Sequence, residues 1–384
     1  MAGIVKVLVL NGGSSSFKCW FAELPGGDLP RDPISPLWSA RLDWNQEGDA
    51  EAALKPALRS LVEQHSKIDV AGHRIVHGGP DHRESTLLTP EVRAAIAQQV
   101  EFAPAHNRFE LEAIEAVEHI LGSKLPQVAV FDTGFHRTLA PAAYVYPGPY
   151  SWLTDGIRRY GFHGINHRYV SLRAAEMLGR DPASLKIITC HLGNGASLAA
   201  VDAGKSIDTT MGFTPLEGLM MGSRCGSIDP AIIVYLIRHR GYSAEQLDQI
   251  LNKESGLYGI SGISADMREI LKAMESGHGR ARLAFDIYVH RLIREIGGML
   301  TVLGGIDALV FTGGVGENTP AIRQAACERL GFLGLKLDPW KNAHPSLDQD
   351  IAAADSTVRV PVIRANEEWE IARECHRVAT ELGS

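Results

Sequence analysis

Val5-Lys6-Val7-Leu8-Val9-Leu10-Asn11-Gly12-Gly13-Ser14-Ser15-Ser16-Phe17-Lys18-Cys19-Trp20-Phe21 decides the fold. A β-branched and leucine-rich run stops at a turn of asparagine, glycine and serine, then resumes as an aromatic-rich run, which reads as strand, glycine turn, strand. Leu37 to Asp43 supplies a third strand. The phrase returns in the second half. Leu185 to Cys190 is a strand, His191-Leu192-Gly193-Asn194-Gly195 a turn, Ala196 to Val201 a strand, and Lys205 to Thr210 comes back after Ala203-Gly204. The repeat is one of pattern rather than residue identity, and two α/β domains facing each other across a cleft are the simplest architecture that uses it.

Working outward, helical patterns at Ala50 to Gln64, Pro90 to Glu101 and Phe109 to Leu121 alternate with buried strands at Val70 to Val76 and Gln127 to Phe131. Later come helices near Pro230 to Arg238, Ala244 to Leu251, Ala265 to Ala273 and Arg280 to Leu303, with a strand at Ala308 to Phe311. A last strand, Val358 to Ile363, hands over to a helix at about Glu368 to Thr380 that is expected to cross back to the first domain.

Composition narrows the function classes. At 384 residues the chain exceeds what one hydrophobic core supports, so two or three domains are expected. A net charge of −7 gives no basic face for nucleic acid. A hydrophobic share of 45 % with 22 % charged residues excludes a largely disordered chain. The five cysteines (Cys19, Cys190, Cys225, Cys327, Cys375) include no CxxC pair, which argues against a disulfide framework or zinc ribbon and for a reducing, cytoplasmic compartment. The apolar start is too short for a signal peptide. Ile296 to Gly314 is broken by glycine pairs and Asp307, so it reads as a helix end, a turn and a buried strand rather than a membrane span.

Three strand-to-turn junctions present only small residues: Asn11 to Ser16, His191 to Gly195, and Gly313-Gly314-Val315-Gly316-Glu317-Asn318. Consecutive backbone N–H groups in such turns form a concave donor surface suited to phosphate. Neither GxxxxGK[ST] nor GxGxxG is present, so this is phosphate chemistry without a P-loop or dinucleotide fingerprint. Each turn alone is equally a plain strand end; the set of three carries the argument.

Charged residues then mark the strand ends. Arg74 lies between apolar residues in an interior strand and needs a carboxylate or phosphate partner, either a structural ion pair or a bound anion. Asp132 ends an apolar strand where open α/β sheets place ligand-facing groups, or caps the next helix. Arg158 to His167 concentrates charge, aromatic rings and two histidines; His163 and His167 are four apart, but Gly164 weakens a helix there and no third metal ligand accompanies them. Met211 to Gly226 is too rich in glycine for a regular element and too apolar for an ordinary loop, so it is expected to line a pocket, with Arg224 at its end.

Together these phrases resemble the acetate kinase family in order and spacing: Asn11 to Lys18, Gly72 to Gly79, Val130 to His136, Arg159 to Gly164, His191 to Gly195, Met211 to Gly226, Gly313 to Asn318 and Asn366 to Glu368. The resemblance spans nearly the whole chain. It implies a duplicated ribonuclease-H-like fold of the actin, Hsp70 and sugar-kinase type with a central nucleotide cleft. Residues 1–149 with 366–384 would form the acyl-side domain and 150–365 the nucleotide-binding and dimerisation domain. It also implies a homodimer that uses Mg²⁺, with Mn²⁺ as a substitute, and moves a phosphoryl group reversibly between ATP and a short carboxylate.

Carried over by position, the resemblance gives Asn11 and Glu367 to the magnesium site and Lys18 to ATP. It gives Arg74 to the substrate carboxylate, and Asp132, His163 and Arg224 to catalysis. His191, Leu192, Gly193, Asn194 and Gly195 would cradle the ATP phosphates, with Asp266, Met267, Arg268, Gly314, Val315, Gly316, Glu317 and Asn318 around the nucleoside. Val76, Ala105, Phe162 and Pro215 would line the pocket for the acyl methyl. Acetate is already ionised at neutral pH, so no general base is required and Asp132 is free to orient Arg224 or the metal waters rather than move a proton. Where the family reads leucine this chain has Ala105, which leaves room and points to propionate as an alternative substrate. A nucleotide-driven assembly module of the actin and Hsp70 type is the competing class; it needs no carboxylate pocket, and Arg74, Asp132 and Arg224 speak against it.

Overall fold

The computed structural model describes residues 3–13, 16–43, 50–65, 67–99, 104–346 and 348–383. They fall into two units that share the chain unevenly. The first comprises Met1–Arg137, Gly164–Tyr169 and Asn366–Ser384, the second Thr138–His163 and Val170–Ala365.

In the first unit β1 (Ile4–Gly12), β2 (Ser16–Pro25) and β3 (Trp38–Asp43) form the expected antiparallel meander. With β4 (Val70–Ile75), β5 (Thr86–Leu87) and β6 (Gln127–Phe131) they make one sheet in the order β3-β2-β1-β4-β6-β5. β1, β4 and β6 run parallel, and the short β5, which no sequence signal marks, runs antiparallel at the edge. Leu8 and Leu10 point to one face with Phe17, Cys19 and Phe21, as period-two alternation requires. They pack there against Leu54, Leu58 and Leu61 of helix Ala50–Gln64 and against Ala113, Ala116 and Val117 of helix Pro104–Leu121.

The final helix, Glu367–Gly383, belongs to this unit and closes on Gly72 of β4. A Cβ at Gly72 would lie 2.2 Å from Cys375 Sγ and 2.9 Å from Ile371, so only glycine allows the helix this near the strand.

The second unit repeats the plan. β7 (Lys186–Leu192), β8 (Ala196–Asp202), β9 (Lys205–Thr209), β10 (Ala308–Thr312), β11 (Gln349–Asp350) and β12 (Pro361–Val362) form a sheet in the order β9-β8-β7-β10-β12-β11. Counted within each unit, both sheets read third, second, first, fourth, sixth, fifth, with the same pattern of parallel and antiparallel neighbours. Its longest helix, Gly279–Leu303, buries Ala281, Ala284, Tyr288, Leu292, Ile296, Met299 and Leu303, a spacing of three and four that puts one face on the core. Gly304 ends it with φ 65° and the chain turns into β10, so the apolar stretch is a helix end, a turn and a strand. Among the described residues no helix is long and apolar enough to cross a membrane.

Other elements also depart from the sequence reading. Gly313–Asn318 is a short helix rather than an open turn. Glycine's poor helix propensity hides it, while the Glu317 carboxylate accepting from Gly313 N at 2.9 Å folds the stretch back on itself. The last strand is shorter than Val358 to Ile363, because Pro361 offers no N–H to the ladder; Arg359 still bridges to Ala308 beside it.

Candidate active site

The carboxyl ends of β1, β4 and β6 bring the first set of site residues together. Arg74, on β4, donates from Nη2 to Asp132 Oδ2 at 2.6 Å and from Nη1 to Gly12 O at 2.9 Å, so one side chain ties three strand ends. Asp132 is 1 % exposed, and the buried arginine has the carboxylate partner its position demands. Burial alone would weaken the Arg74 charge, but Asp132 and Glu367 around it outweigh that and hold it protonated.

At the opening hairpin Asn11 faces Lys18 across the β1–β2 register. The Asn11 amide donates to Glu367 Oε2 and to Glu368 Oε1, each at 2.9 Å, and Lys18 Nζ lies 3.3 Å from Glu368. Glu367 therefore reaches Asn11 from the first turn of the final helix. Its neighbour Glu368, which no sequence argument singled out as a site residue, bridges Asn11 to Lys18. Val76 is 3 % exposed. Ala105 falls in helix Pro104–Leu121, but its side chain lies outside the described residues.

In the second unit the site residues gather on the β7–β8 hairpin. His163 has φ 57°, a left-handed conformation that a histidine adopts only when its surroundings hold it. Its Nδ1 lies 2.8 Å from the Ser197 hydroxyl on β8, and its ring stacks on His191 with centroids 4.1 Å apart. A Cβ at Gly195 would lie 3.3 Å from His163 Nε2 and 3.6 Å from Arg224 Nη1, so the turn's missing side chain leaves its backbone open between these two donors.

Arg224 is aimed by its bond to Pro215 O at 2.8 Å. The loop carrying it is pinned at Gly222, whose N–H donates to Asn194 O at 3.1 Å and where any Cβ would collide with Asn194 Oδ1 and approach Ala265 O. Farther back the loop is held by an Arg159–Glu217 ion pair of 2.7 Å and by the Tyr146 hydroxyl, which donates to Glu217. Glu217, the one acid in that apolar loop, was the available signal for this anchor. Phe162 is 1 % exposed and Pro215 half-buried.

Of the remaining nucleotide candidates, the start of helix Gly313–Asn318 borders the same hairpin. A Cβ at Gly313 would touch Leu192 O at 2.8 Å, which seats the start of helix Gly313–Asn318 against β7. Glu317 also accepts from Ala365 N at 2.9 Å, and the buried Arg323 donates to Gly316 O and Glu317 O at 2.7 and 2.8 Å, fixing the far end of that helix. Asp266 caps helix Met267–Glu275 by accepting from Arg268 N at 2.9 Å, Met267 is buried, and the Arg268 side chain is exposed. His167 lies within helix Gly164–Met177 and meets His136 edge-on at 5.8 Å, whereas His163 stands ahead of that helix; the two do not form an i, i+4 helical pair.

Imidazole and guanidinium groups gathered at an open glycine turn, as in the second unit, are the equipment of a phosphotransferase. Comparison with known proteins specifies which. The model of the acetokinase family matches residues 6–373. The acetate kinase of Gloeobacter violaceus is 56 % identical over 399 residues, covering 97 % of this chain and 98 % of the relative, and that of Trichormus variabilis is 56 % identical over 400 residues with the same coverage. Among solved structures, Porphyromonas gingivalis acetate kinase superimposes with a TM-score of 0.86 at 38 % identity over 97 % of this chain and 99 % of that one. A propionate kinase from Francisella tularensis gives 0.87 at 36 % over 97 % and 100 %. The chain belongs to the acetokinase family and is a kinase.

Proposed function

We propose that the chain works as an acetate kinase, moving the terminal phosphoryl group of ATP directly and in line to acetate, and back, with the residues above in the roles their geometry suits. The observation that carries the assignment is the convergence of His163, His191 and Arg224 on the Gly195 turn. Phosphoryl transfer leaves little covalent work to the protein, and its barrier falls when fixed donors meet the charge on the equatorial oxygens. Arg224 and His163 are those donors. The backbone from His191 to Gly195 receives the ATP phosphates, with Asp266 to Arg268 and Gly314 to Asn318 beside the nucleoside and Lys18 as a further ATP contact.

Arg74 holds the substrate carboxylate, and Asp132, whose Oδ2 accepts from both Nε and Nη2 of Arg74, orients that arginine. The family resemblance gives Val76, Ala105, Phe162 and Pro215 to the acyl methyl, and leaves propionate as an alternative acceptor. Asn11 and Glu367 would hold Mg²⁺. An amide oxygen and a carboxylate are hard donors, and Mg²⁺ binds through one or two carboxylates plus substrate phosphates and water rather than a full protein cage. The ion, when bound, neutralises phosphate charge.

The working form is a homodimer in the cytoplasm. What supports the dimer is helix Ala231–Arg240, which buries none of its residues although Ile232, Val234, Tyr235 and Ile237 are 45 to 49 % exposed. A second copy of the chain is the partner that would cover them.

The test is to trap acyl phosphate as hydroxamate. Wild type with ATP and Mg²⁺ should give carboxylate-dependent product. Arg224→Ala should lose about 10³-fold or more in kcat, and Arg74→Ala should raise KM for acetate without changing KM for ATP. Carboxylate-independent ATP hydrolysis, or full activity in Arg224→Ala, would sink the proposal.

A further inference from the structure

Behind the acyl-side residues lies a carboxyl group that the roles above leave unused. Glu110, on helix Pro104–Leu121, is 4 % exposed and faces the backbone of Val76, whose N–H reaches Oε2 at 3.0 Å and Oε1 at 3.2 Å. One turn earlier Asn107, also buried, accepts from His77 N at 3.3 Å and donates to His77 O at 3.0 Å. The helix thus grips the chain just past β4, two residues from Arg74, through one amide and one acid. An amide would have served for both. The acid needs its own explanation.

The charge count at this spot supplies one. Among the described residues the charged groups that face Glu110 are Arg74 on β4 and Asp132 at the end of β6. His77, next along the chain, is kept neutral by burial, which pushes it down to about 4. Arg74 is the single positive charge, and Asp132 already meets it at 2.6 Å. Glu367 also acts on Arg74, so a substrate carboxylate arriving there adds a third negative charge, and an ionised Glu110 would add a fourth in a place closed to solvent, where like charges are costly. The arrangement admits an anion only if Glu110 carries a proton. Burial pushes the Glu110 carboxyl up to about 8, against the pull of the Val76 N–H and Arg74, and Asp132 adds to the rise.

We propose that Glu110 is a positioning residue that also sets the charge of the acyl-side pocket: as the neutral acid it holds Val76 in place and lets a carboxylate bind at Arg74, and its ionisation shuts that anion out. The proposal rests on the reading that Arg74 holds the substrate carboxylate. It adds a protonation condition on acceptor binding, separate from the phosphoryl-transfer step.

The experiment is acetate KM, ATP KM and kcat across about pH 6.5 to about 9.5, a range in which free acetate does not titrate. In wild type, acetate KM should stay level to about pH 8 and then rise roughly tenfold per pH unit, with ATP KM unchanged. Glu110→Gln, which keeps an acceptor for Val76 N–H but cannot ionise, should give a level acetate KM throughout. A level wild-type profile, or a rise that survives in Glu110→Gln, overturns the proposal. Should Glu110→Gln fail to fold by circular dichroism, Glu110→Met is the second uncharged variant and the wild-type profile still decides. Arg74→Ala separates the two readings: an unchanged acetate KM there refutes the Arg74 assignment itself, whatever Glu110 does.

Discussion

Position 164 admits no side chain. A Cβ there would stand 2.2 Å from Asp132 O, the oxygen that the Gly164 N–H reaches at 2.8 Å. Glycine at 164 and the left-handed backbone of His163 belong to one constraint, which sets the imidazole just ahead of a helix instead of within it. What fixes the ring itself is Ser197, fully buried and bonded to Nδ1, leaving Nε2 on the side of Gly195 and Arg224. Ser197→Ala should therefore lower kcat by about ten- to a hundredfold with KM for ATP little changed, and Ser197→Thr, which restores the hydroxyl, should recover much of it; steady-state kinetics with both variants checks this. His163 and Arg224 stand in motifs that the sequence singles out. Ser197 could not, since a serine inside an apolar strand shows nothing of the imidazole it will meet from another part of the chain.

Elements differ in how openly they are written. Gly279–Leu303 is plain from its three-and-four spacing, and helix Ala244–Lys253 announces itself through the capping box of Ser243 and Gln246. Gly313–Asn318 is hidden, because three of its six residues are glycine and its stability comes from Glu317 and Arg323 rather than from propensity. Helix Ala231–Arg240 is legible as a helix but not as a surface: its periodic apolar residues promise burial, yet none is buried. Tyr235→Arg should consequently leave the fold intact and yield a monomer by light scattering at concentrations where wild type is dimeric; a dimer unchanged by Tyr235→Arg would place the contact elsewhere.

At the scale of the whole molecule, stability should depend on pH through groups far from any surface. His73 and His77 are both buried and pushed down to about 4 by burial, so in the folded chain they bind fewer protons than in the unfolded chain between about 4 and 6.5. Their contribution is present above pH 6.5 and lost as pH falls. Glu110, pushed up, acts in the opposite sense, its contribution being present below about 4.5 and lost as pH rises toward about 8. Two histidines against one glutamate leave a net loss on acidification from about 6.5 to about 4.5, worth roughly 1.4 kcal/mol per pH unit from these three groups. Urea midpoints across that range, steeper in wild type than in His77→Gln, would bear this out.

The duplicated plan was readable from two glycine-punctuated meanders, and the strand order shows how complete it is. The division of the chain between units was less readable, because contact rather than sequence proximity decides it: Gly164–Tyr169 joins the first unit on the strength of bonds such as that from Arg168 to Glu374 at 2.6 Å. That interleaving governs how the polypeptide is born. When the chain as far as Arg137 has left the ribosome, β1 and β4 have one face bare at Gly72, and the helix that covers it, Glu367–Gly383, follows only after the whole second unit. At roughly 5–20 residues per second the exposed sheet waits some tens of seconds for its cover, a window in which a chaperone has cause to attend the nascent chain.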